Sequence, residues 1–299
     1  MKLRIGTRRS RLALAQADEI AGRLEALGVR SELVPMETAG DRGAGAETSP
    51  AGLKGLFVAE ISRALHDGWV DIAVHSAKDL PAEDEDGADL VIAAVPERAS
   101  PLDVLVTRES ELAPGAIVGT SSLRRRSQVS RWRPDVVVKD LRGNVDTRLR
   151  KLEDDEVDAL VLAAAGLIRL GLVPEHAAPM SIAEMVPAPG QGCLAVQARA
   201  GDARTLDALA PLDHAESRAA LEAERSLMRR LGGGCALPLG ALATVEGDRI
   251  RMVAIVLSPD GADHARAEVD GPTPEETAEL AALDLMAGGA DDILAALGP

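Results

Sequence analysis

The sequence has 299 residues, of which 46% are apolar, so it can form one to three domains with substantial cores. Its 48 acidic and 33 basic residues give a net charge of -15, which disfavours general binding to nucleic acid or anionic lipid. The chain has two cysteines, Cys193 and Cys235, too few for a disulfide framework. Aromatic residues make up 1% of the chain, which also argues against base stacking.

Membrane and export signals are not apparent in the sequence. The first residues carry several cations but no apolar segment of signal-peptide length, so we expect no secretion signal. The longest apolar stretch, residues 159–168, is far shorter than the roughly 20 residues needed to cross a bilayer. We therefore expect a cytoplasmic protein with neither a membrane nor a nucleic-acid partner.

The first hundred residues alternate short apolar strands with amphipathic helices. Apolar residues recur every three or four positions over residues 13–27 and stop at Gly28, which predicts a helix with a glycine C-terminal stop. The same spacing predicts a helix over residues 58–68. Residues 39–55 show little apolar periodicity, and we interpret them as a lid. The predicted strands lie at residues 3–6, 29–36, 70–74, 90–95 and 103–107.

The alternation of strands and helices continues in the second half and predicts parallel sheets. The predicted strands there are residues 117–119, 136–138, 159–163 and 193–197, and the predicted helices are residues 122–132, a helix capped by Asn144, and residues 216–231. From Leu239 on, three strands separated by turns at residues 247–248 and 259–261, and a helix from about Thr273, predict a small α+β domain.

Two predicted strand ends carry the same Gly-Thr pair, at Gly6-Thr7 and Gly119-Thr120, and hydroxyls and arginines follow each pair. Cations at the start of a helix oppose its dipole by about 0.3 to 1 kcal/mol each. A bound anion would remove that conflict, because backbone N–H groups, hydroxyls and guanidinium groups together bind carboxylate or phosphate. The alternative is two N-capped helices with solvated arginines.

The positive charge is concentrated in one segment. Residues 120–151 hold ten Lys and Arg against three acids, a charge of +7 in a protein of -15. This balance favours a small polyanionic ligand in a local basic cleft over a long nucleic acid. Within the segment, we interpret four cations as solvated only: Arg126, Arg131, Arg133 and Lys151.

Two further segments are candidates for chemistry. Asp79 follows Lys78 directly after a predicted strand, where ligands of open α/β sheets bind. It is a candidate general acid/base or stabiliser of a developing positive charge, and the alternative is a plain turn aspartate. Cys235 follows three glycines that would give a large group access to its thiol, although a lone cysteine is more often a small buried hydrophobe. We assign Cys193, in an apolar strand, to the core.

These motifs together resemble one family, porphobilinogen deaminase, also called hydroxymethylbilane synthase. The resemblance spans nearly the whole chain. It rests on Gly6-Thr7-Arg8-Arg9-Ser10 with Leu12-Ala13-Leu14, Gly55-Leu56-Phe57-Val58, the segment from Asp71 to Asp79, the segment from Gly119 to Arg125, Leu141-Arg142-Gly143-Asn144, Gly190-Gln191-Gly192 and Gly234-Cys235. Arg11 departs from the family, which usually has proline at this position.

The resemblance implies an α/β fold with two lobes like those of periplasmic binding proteins around a cleft, plus a small α+β C-terminal domain. The implied domains are residues 1–94 with 193–210, residues 98–186, and residues 215–299. The implied reaction is the head-to-tail condensation of four porphobilinogens into hydroxymethylbilane with release of ammonia, in tetrapyrrole and heme biosynthesis. A dipyrromethane cofactor, attached through Cys235, serves as primer, and Asp79 is the implied catalytic carboxylate. We expect a monomer.

Every pyrrole ring of such a chain bears an acetate and a propionate, so the resemblance gives the cationic helix openings polycarboxylate ligands. The residues implied to hold the cofactor are Lys78, Thr120, Ser121, Ser122, Arg124, Arg125 and Arg142. Those implied to bind substrate are Arg8, Ser10, Gln16, Phe57, Arg148, Arg169 and Gln191. No metal site is expected, because the five histidines lack metal-ligand spacing.

Two other classes of function share parts of this pattern. A two-lobed anion receptor or sensor would also place ligands at both helix openings, but it would not need Cys235. A phosphate-handling transferase would share the basic cleft, yet the sequence lacks a Gly-x-x-x-x-Gly-Lys-Ser/Thr loop.

Overall fold

A computed structural model describes residues 1–37, 50–82, 89–232 and 237–297, with the backbone alone for residues 50–57. The described residues form two five-stranded sheets and one three-stranded sheet, with helices packed against them. This architecture confirms the predicted α/β fold with two lobes and a small additional α+β domain.

The elements follow one another along the chain in three groups. The first group is β1 (Lys2–Arg8), α1 (Arg11–Ala26), β2 (Arg30–Met36), α2 (Pro50–His66), β3 (Ile72–Ser76) and β4 (Leu90–Ala94). The second group is β5 (Asp103–Thr107), β6 (Ile117–Gly119), α3 (Leu123–Trp132), β7 (Val137–Lys139), α4 (Val145–Glu153), β8 (Ala159–Ala163), α5 (Ala164–Leu170) and β9 (Ala177–Pro179). The third group is β10 (Leu194–Arg199), α6 (Ala203–Leu209), α7 (Ala215–Arg230), β11 (Leu239–Glu246), β12 (Arg249–Leu257), β13 (His264–Gly271), α8 (Pro274–Ala287) and α9 (Ala290–Ala296).

The two large sheets share one topology. Their strand orders are β2-β1-β3-β10-β4 and β7-β6-β8-β5-β9. In each sheet four strands run in one direction, whereas one strand, β10 or β5, runs antiparallel to both of its neighbours. The prediction of parallel sheets is therefore wrong for β5 and β10, because the chain crosses between the lobes and each crossing delivers a strand of opposite direction.

The two crossings run side by side and form the hinge between the lobes. One consists of residues 95–102 and the other of residues 180–193. They are joined where Ala99 N donates to Gly192 O over 3.3 Å, and where Gln191 Nε2 donates to Pro101 O over 2.8 Å. Gly192 adopts φ +89°, and a Cβ atom there would lie 2.4 Å from Ala99 O. This close approach of two backbones requires glycine.

The third sheet, β11-β12-β13, is antiparallel throughout. Its inner face packs against α7 and α8 around the fully buried side chains of Leu227, Met252 and Leu285. This is the α+β arrangement that the strand and helix pattern predicts. The domain boundaries given above stay a prediction.

Several predicted elements differ locally from the structure. Helix α2 begins at Pro50, so the predicted loop over residues 39–55 is too long, and the rest of the predicted lid, residues 39–49, lies outside the described residues. Asn144 occupies the N-cap position of α4, but its side chain makes no capping hydrogen bond. The prediction omitted four short elements that carry too few turns or residues for a periodic signal: α5, α6, α9 and β9.

We predict that Gly192→Ala lowers the free energy of unfolding by about 2 to 4 kcal/mol, because it adds a backbone clash to the strain of a positive φ. Gly115→Ala is the matched control, since Gly115 also has φ +79° but a Cβ there would meet nothing within 4 Å. The control should cost about 1 kcal/mol from the strained φ alone. Urea denaturation monitored by circular dichroism measures both. Equal losses in the two variants would contradict the close-approach argument.

Candidate functional site

The end of β3 places a cation and a carboxylate side by side. A 3-10 turn, Ala77–Asp79, follows the strand directly, and Lys78 and Asp79 are half-buried within it. Lys78 Nζ donates to Gln191 Oε1 over 3.2 Å, which links this turn to the hinge. Asp79 lies beyond the carboxyl end of β3, as its position in the sequence predicts.

His75 lies on β3 close to Asp79 and is buried. Burial lowers the pKa of His75 to about 4, against the opposing charge of Asp79. The imidazole is therefore neutral at physiological pH. Asp79 accordingly has a neutral imidazole near it.

The helices α1 and α3 begin in the same way. Ser10 Oγ accepts from Ala13 N over 3.3 Å, and Ser122 Oγ accepts from Arg125 N over 3.4 Å, so both serines are N-caps. Neither helix has an acidic residue in its first turn. The alternative interpretation of these two hydroxyls as helix N-caps is therefore correct. Each hydroxyl hydrogen is still available to donate to an anion, because capping uses the oxygen alone.

The approach to α3 is tightly packed. A Cβ atom at Gly119 would lie 2.8 Å from a Leu141 methyl group, so β6 and the segment after β7 meet closely there. Thr120 is fully buried, and its Oγ1 accepts from Ser122 N over 3.2 Å. Thr120 therefore shapes the turn that presents the N-terminus of α3.

Arg124 and Arg125, at the start of α3, are almost completely buried and share one carboxylate. Asp103, the first residue of β5, accepts from Arg124 Nη1 over 2.8 Å and from Arg125 Nε and Nη2 over 3.0 and 2.7 Å. Although burial opposes it, the charges of Arg124 and Arg125 hold the pKa of Asp103 well below its usual range. Burial also lowers the pKa of Arg124, which Asp103 opposes.

One further cation lies against this pair. Arg148 on α4 donates from Nη2 to Ser121 Oγ over 3.3 Å and from Nε to Gly143 O over 2.8 Å. Burial, followed by the charge of Arg125, lowers the pKa of Arg148 to about 10. The structure therefore brings Ser121, Arg125 and Arg148 together. Arg142 lies nearby in sequence but is half-exposed and pairs with Asp140 at 3.3 Å.

Three predicted binding residues use their polar groups within the protein. Gln16 Nε2 donates to Ser76 Oγ over 2.7 Å, and the buried amide of Gln191 is engaged by Lys78 and Pro101. Arg169 donates from Nε to Glu19 over 2.9 Å and from Nη2 to Gly192 O over 3.3 Å, with 8% of its side chain exposed. These contacts join α1 to β3 and to α5, and they join the second crossing to the first and to the end of β3.

The remaining predicted residues divide into two groups. Arg8 is half-buried at the end of β1, two residues before Ser10, the N-cap of α1. Cys235 lies outside the described residues, and for Phe57 the structure describes the backbone alone.

Comparison with known proteins identifies the family. Residues 3–207 match the profile described as porphobilinogen deaminase, dipyromethane cofactor binding domain, and residues 219–287 match the C-terminal domain of the same family. The chain belongs to the porphobilinogen deaminase family. It is 46% identical to a porphobilinogen deaminase of Syntrophotalea carbinolica, over 99% of this chain and 96% of that protein. It is 45% identical to one of Brevibacillus brevis, over 98% and 97% of the two chains.

Solved structures of periplasmic binding proteins are similar at a lower level. One is a substrate-binding protein of an ABC transporter from Coxiella burnetii, with 16% identity, a TM-score of 0.43, and coverage of 70% of this chain and 91% of that one. Another is an arginine transport protein from Legionella pneumophila, with 13% identity, a TM-score of 0.40, and coverage of 71% and 91%.

Membership of the porphobilinogen deaminase family makes the chain an enzyme of tetrapyrrole biosynthesis with a dipyrromethane cofactor. The donor set on α3 suits such a polycarboxylate. Among the described residues, Arg124 Nε is buried without a hydrogen-bond partner, and Arg125 Nη1 makes no hydrogen bond. A carboxylate of the ligand would satisfy these N–H donors.

Reasoning from the sequence did not single out the acidic partners of these cations. Asp103 is the first residue of a predicted strand, and no sequence pattern marks Glu19 or Glu224 as the partner of an arginine. A carboxylate at the head of an apolar strand is the one signal that could have identified Asp103, because buried acids are almost always paired.

Membrane-spanning helices and metal sites are two further features to consider among the described residues. Within the described ranges, no helix combines the length and apolarity needed to cross a membrane. In the same part of the chain, no cluster of three or more His, Cys, Asp or Glu side chains could hold a metal ion.

We predict that His75 makes stability depend on pH. Its folded pKa of about 4 is below the unfolded value, so the unfolded state binds more protons between pH 6.5 and pH 4. The free energy of unfolding should therefore fall by up to about 3 kcal/mol as the pH drops through this window. His75→Gln removes the titrating group and should show a shallower dependence. Urea denaturation at a series of pH values tests this, and equal slopes in both proteins would exclude a buried neutral His75.

Proposed function

We propose that this enzyme condenses four porphobilinogen molecules head to tail into linear hydroxymethylbilane and releases ammonia. The observation that carries the proposal is the arrangement of the buried Arg124–Arg125 pair, with donors left for an anion, and Asp79 at the end of β3. Lys78 lies next to Asp79 in the chain, and its charge also acts on Asp103, the carboxylate that Arg124 and Arg125 share. A site with several cations and one carboxylate suits a substrate that carries both carboxylates and a developing positive charge.

The lobe built on the β7-β6-β8-β5-β9 sheet, here called lobe 2, supplies the anion-binding half of the site. Arg124, Arg125 and Arg148 would hold acetate and propionate groups through charge-assisted hydrogen bonds, each worth about 1.5 to 3 kcal/mol. Ser121 and Ser122 add hydroxyl donors at the N-terminus of α3, where the helix dipole also favours an anion. The remaining groups proposed to contact carboxylates are Arg8, Ser10, Lys78, Thr120 and Arg142.

Asp79 supplies the catalytic half. Loss of ammonia from porphobilinogen leaves a cation delocalised over the pyrrole, and a fixed carboxylate beside the ring N–H stabilises it. The same carboxylate can accept the proton that is lost after the new carbon–carbon bond forms.

The dipyrromethane, when bound, supplies the free pyrrole α-carbon to which the first porphobilinogen is joined. Cys235 is the proposed point of attachment, through a thioether. The other cysteine is unsuited, because Cys193 is buried and burial raises the pKa of its thiol to about 12. Gln16, Gln191 and Arg169 are proposed to bind substrate in addition to the contacts that they make within the protein, and Phe57 is proposed to cover the site from α2.

We further propose that the enzyme acts as a cytoplasmic monomer without a nucleic-acid or membrane partner. The net charge of -15 supports the absence of a nucleic-acid partner, because the chain outside residues 120–151 carries a net charge of -22.

The mass of the intact purified chain tests the attachment. We expect the wild-type chain to exceed its sequence mass by one dipyrromethane. Cys235→Ser should lose the added mass because it removes the thiolate, whereas the matched control Cys193→Ser should keep it. A wild-type chain without added mass would favour an anion receptor, and the reverse pattern in the two variants would move the attachment to Cys193.

Asp79→Asn tests the catalytic role. The amide has the shape of the carboxylate but no charge, so we expect the condensation rate to fall by about 100-fold or more, while the fold and the attached cofactor remain. Asp79→Glu should retain more activity. Ammonia release is measured directly, with the cofactor confirmed by mass. Turnover of the Asn variant at the parent rate would return Asp79 to the role of a turn residue.

A further inference from the structure

Asp103 is a carboxylate that the proposed chemistry does not use, and it is fully buried at the head of β5. It accepts three charge-assisted hydrogen bonds from two consecutive arginines of α3. These bonds connect β5, the first strand after the crossing of residues 95–102, with α3. The N-terminus of α3 faces the proposed ligands. The position of Asp103 therefore determines how both guanidinium groups are held.

The pairing also determines which edge of each guanidinium remains open. Arg125 uses Nε and Nη2 on Asp103, which leaves Nη1. Arg124 uses Nη1 on both Asp103 and Val186 O, which leaves Nε and Nη2. Among the described residues these remaining donors make no hydrogen bond. Because a guanidinium group is planar and rigid, fixing one edge fixes the direction of the other.

A purely structural ion pair would be expected to balance its charges, and this one does not. One carboxylate serves Arg124 and Arg125. The charges of Lys78 and Arg148 act on the same group of residues, and Asp140 offsets part of the charge of Arg148. A buried cluster with excess positive charge is unfavourable on its own. It becomes favourable when anionic ligands complete it, so Asp103 neutralises only part of the charge and leaves the rest for the ligand.

We propose that Asp103 is a positioning residue, which orients Arg124 and Arg125 so that their remaining N–H donors bind the carboxylates of cofactor and substrate. This inference rests on the proposed function. It assigns to Asp103 no contact with the reacting atoms.

Asp103→Asn and Asp103→Glu test the proposal in the holoenzyme. In Asp103→Asn an amide N–H faces a guanidinium donor, so one arginine loses its partner and is free to rotate. Asp103→Glu keeps the charge but moves the carboxylate by one methylene. With misaligned donors, both variants should raise the KM for porphobilinogen by about 10-fold or more, while kcat changes less than threefold. The fraction of chains carrying the cofactor, measured by intact mass, should fall in Asp103→Asn.

Asp71→Asn is the matched control. Asp71 also accepts three hydrogen bonds from an arginine, Arg4, but it precedes β3, at the opposite end of the strand from Asp79. The control should lower stability while KM stays within threefold of the wild-type value. Folding of every variant is followed by circular dichroism and urea denaturation.

The outcomes separate the two proposals. If the wild-type chain neither carries the cofactor nor consumes porphobilinogen, the proposed function fails before Asp103 is tested. If the wild-type chain is active and a folded Asp103 variant keeps KM within threefold and full cofactor occupancy, the positioning role is overturned. It is also overturned if neither variant folds, since Asp103 is then a structural counter-ion, or if Asp71→Asn raises KM equally.

Discussion

The carboxylate of Glu224 joins the three parts of the molecule. It is fully buried on α7 and accepts from Arg98 Nη1, Gly190 N and Ala243 N over 2.7, 2.5 and 2.7 Å. Arg98 belongs to one lobe crossing, Gly190 to the other, and Ala243 to the third sheet. Removing one partner of such a buried pair typically costs about 3 to 5 kcal/mol, because the remaining charge is left uncompensated.

The position of the proposed site depends on this junction. Gln191 follows Gly190, and its side chain engages both Lys78 at the end of β3 and Pro101 on the neighbouring crossing. Arg98 also donates from Nε to Gln191 O over 2.9 Å. The carboxyl end of β3, where Asp79 lies, is therefore held against the hinge and not left on a free loop. A group that must stabilise a cation needs such a rigid support, since electrostatic stabilisation depends on donors and charges fixed in advance.

Direct contacts between the lobes come mainly from α1. Glu19 on α1 pairs with Arg169 on α5, and Arg11 at the start of α1 pairs with Asp146 on α4. The first pair is largely buried, whereas the Arg11 pair is exposed and contributes little to stability. The resemblance to the family implies that Arg169 binds substrate, and in the structure its Nε and Nη2 donate to Glu19 and Gly192 O.

The sequence by itself determined the alternation of strands and helices, the two Gly-Thr strand ends, the serine N-caps and the concentration of cations in residues 120–151, because each is a local or periodic pattern. Only the tertiary structure decided the direction of β5 and β10, since the direction of a strand depends on where the chain enters a sheet and leaves no trace in its residues. It also decided the partners of the cations. Asp103 is 21 residues from Arg124, and Glu19 is 150 residues from Arg169. Pairs at such separations have no common period in the sequence, and they form because burial of a charge is unfavourable until an opposite charge meets it.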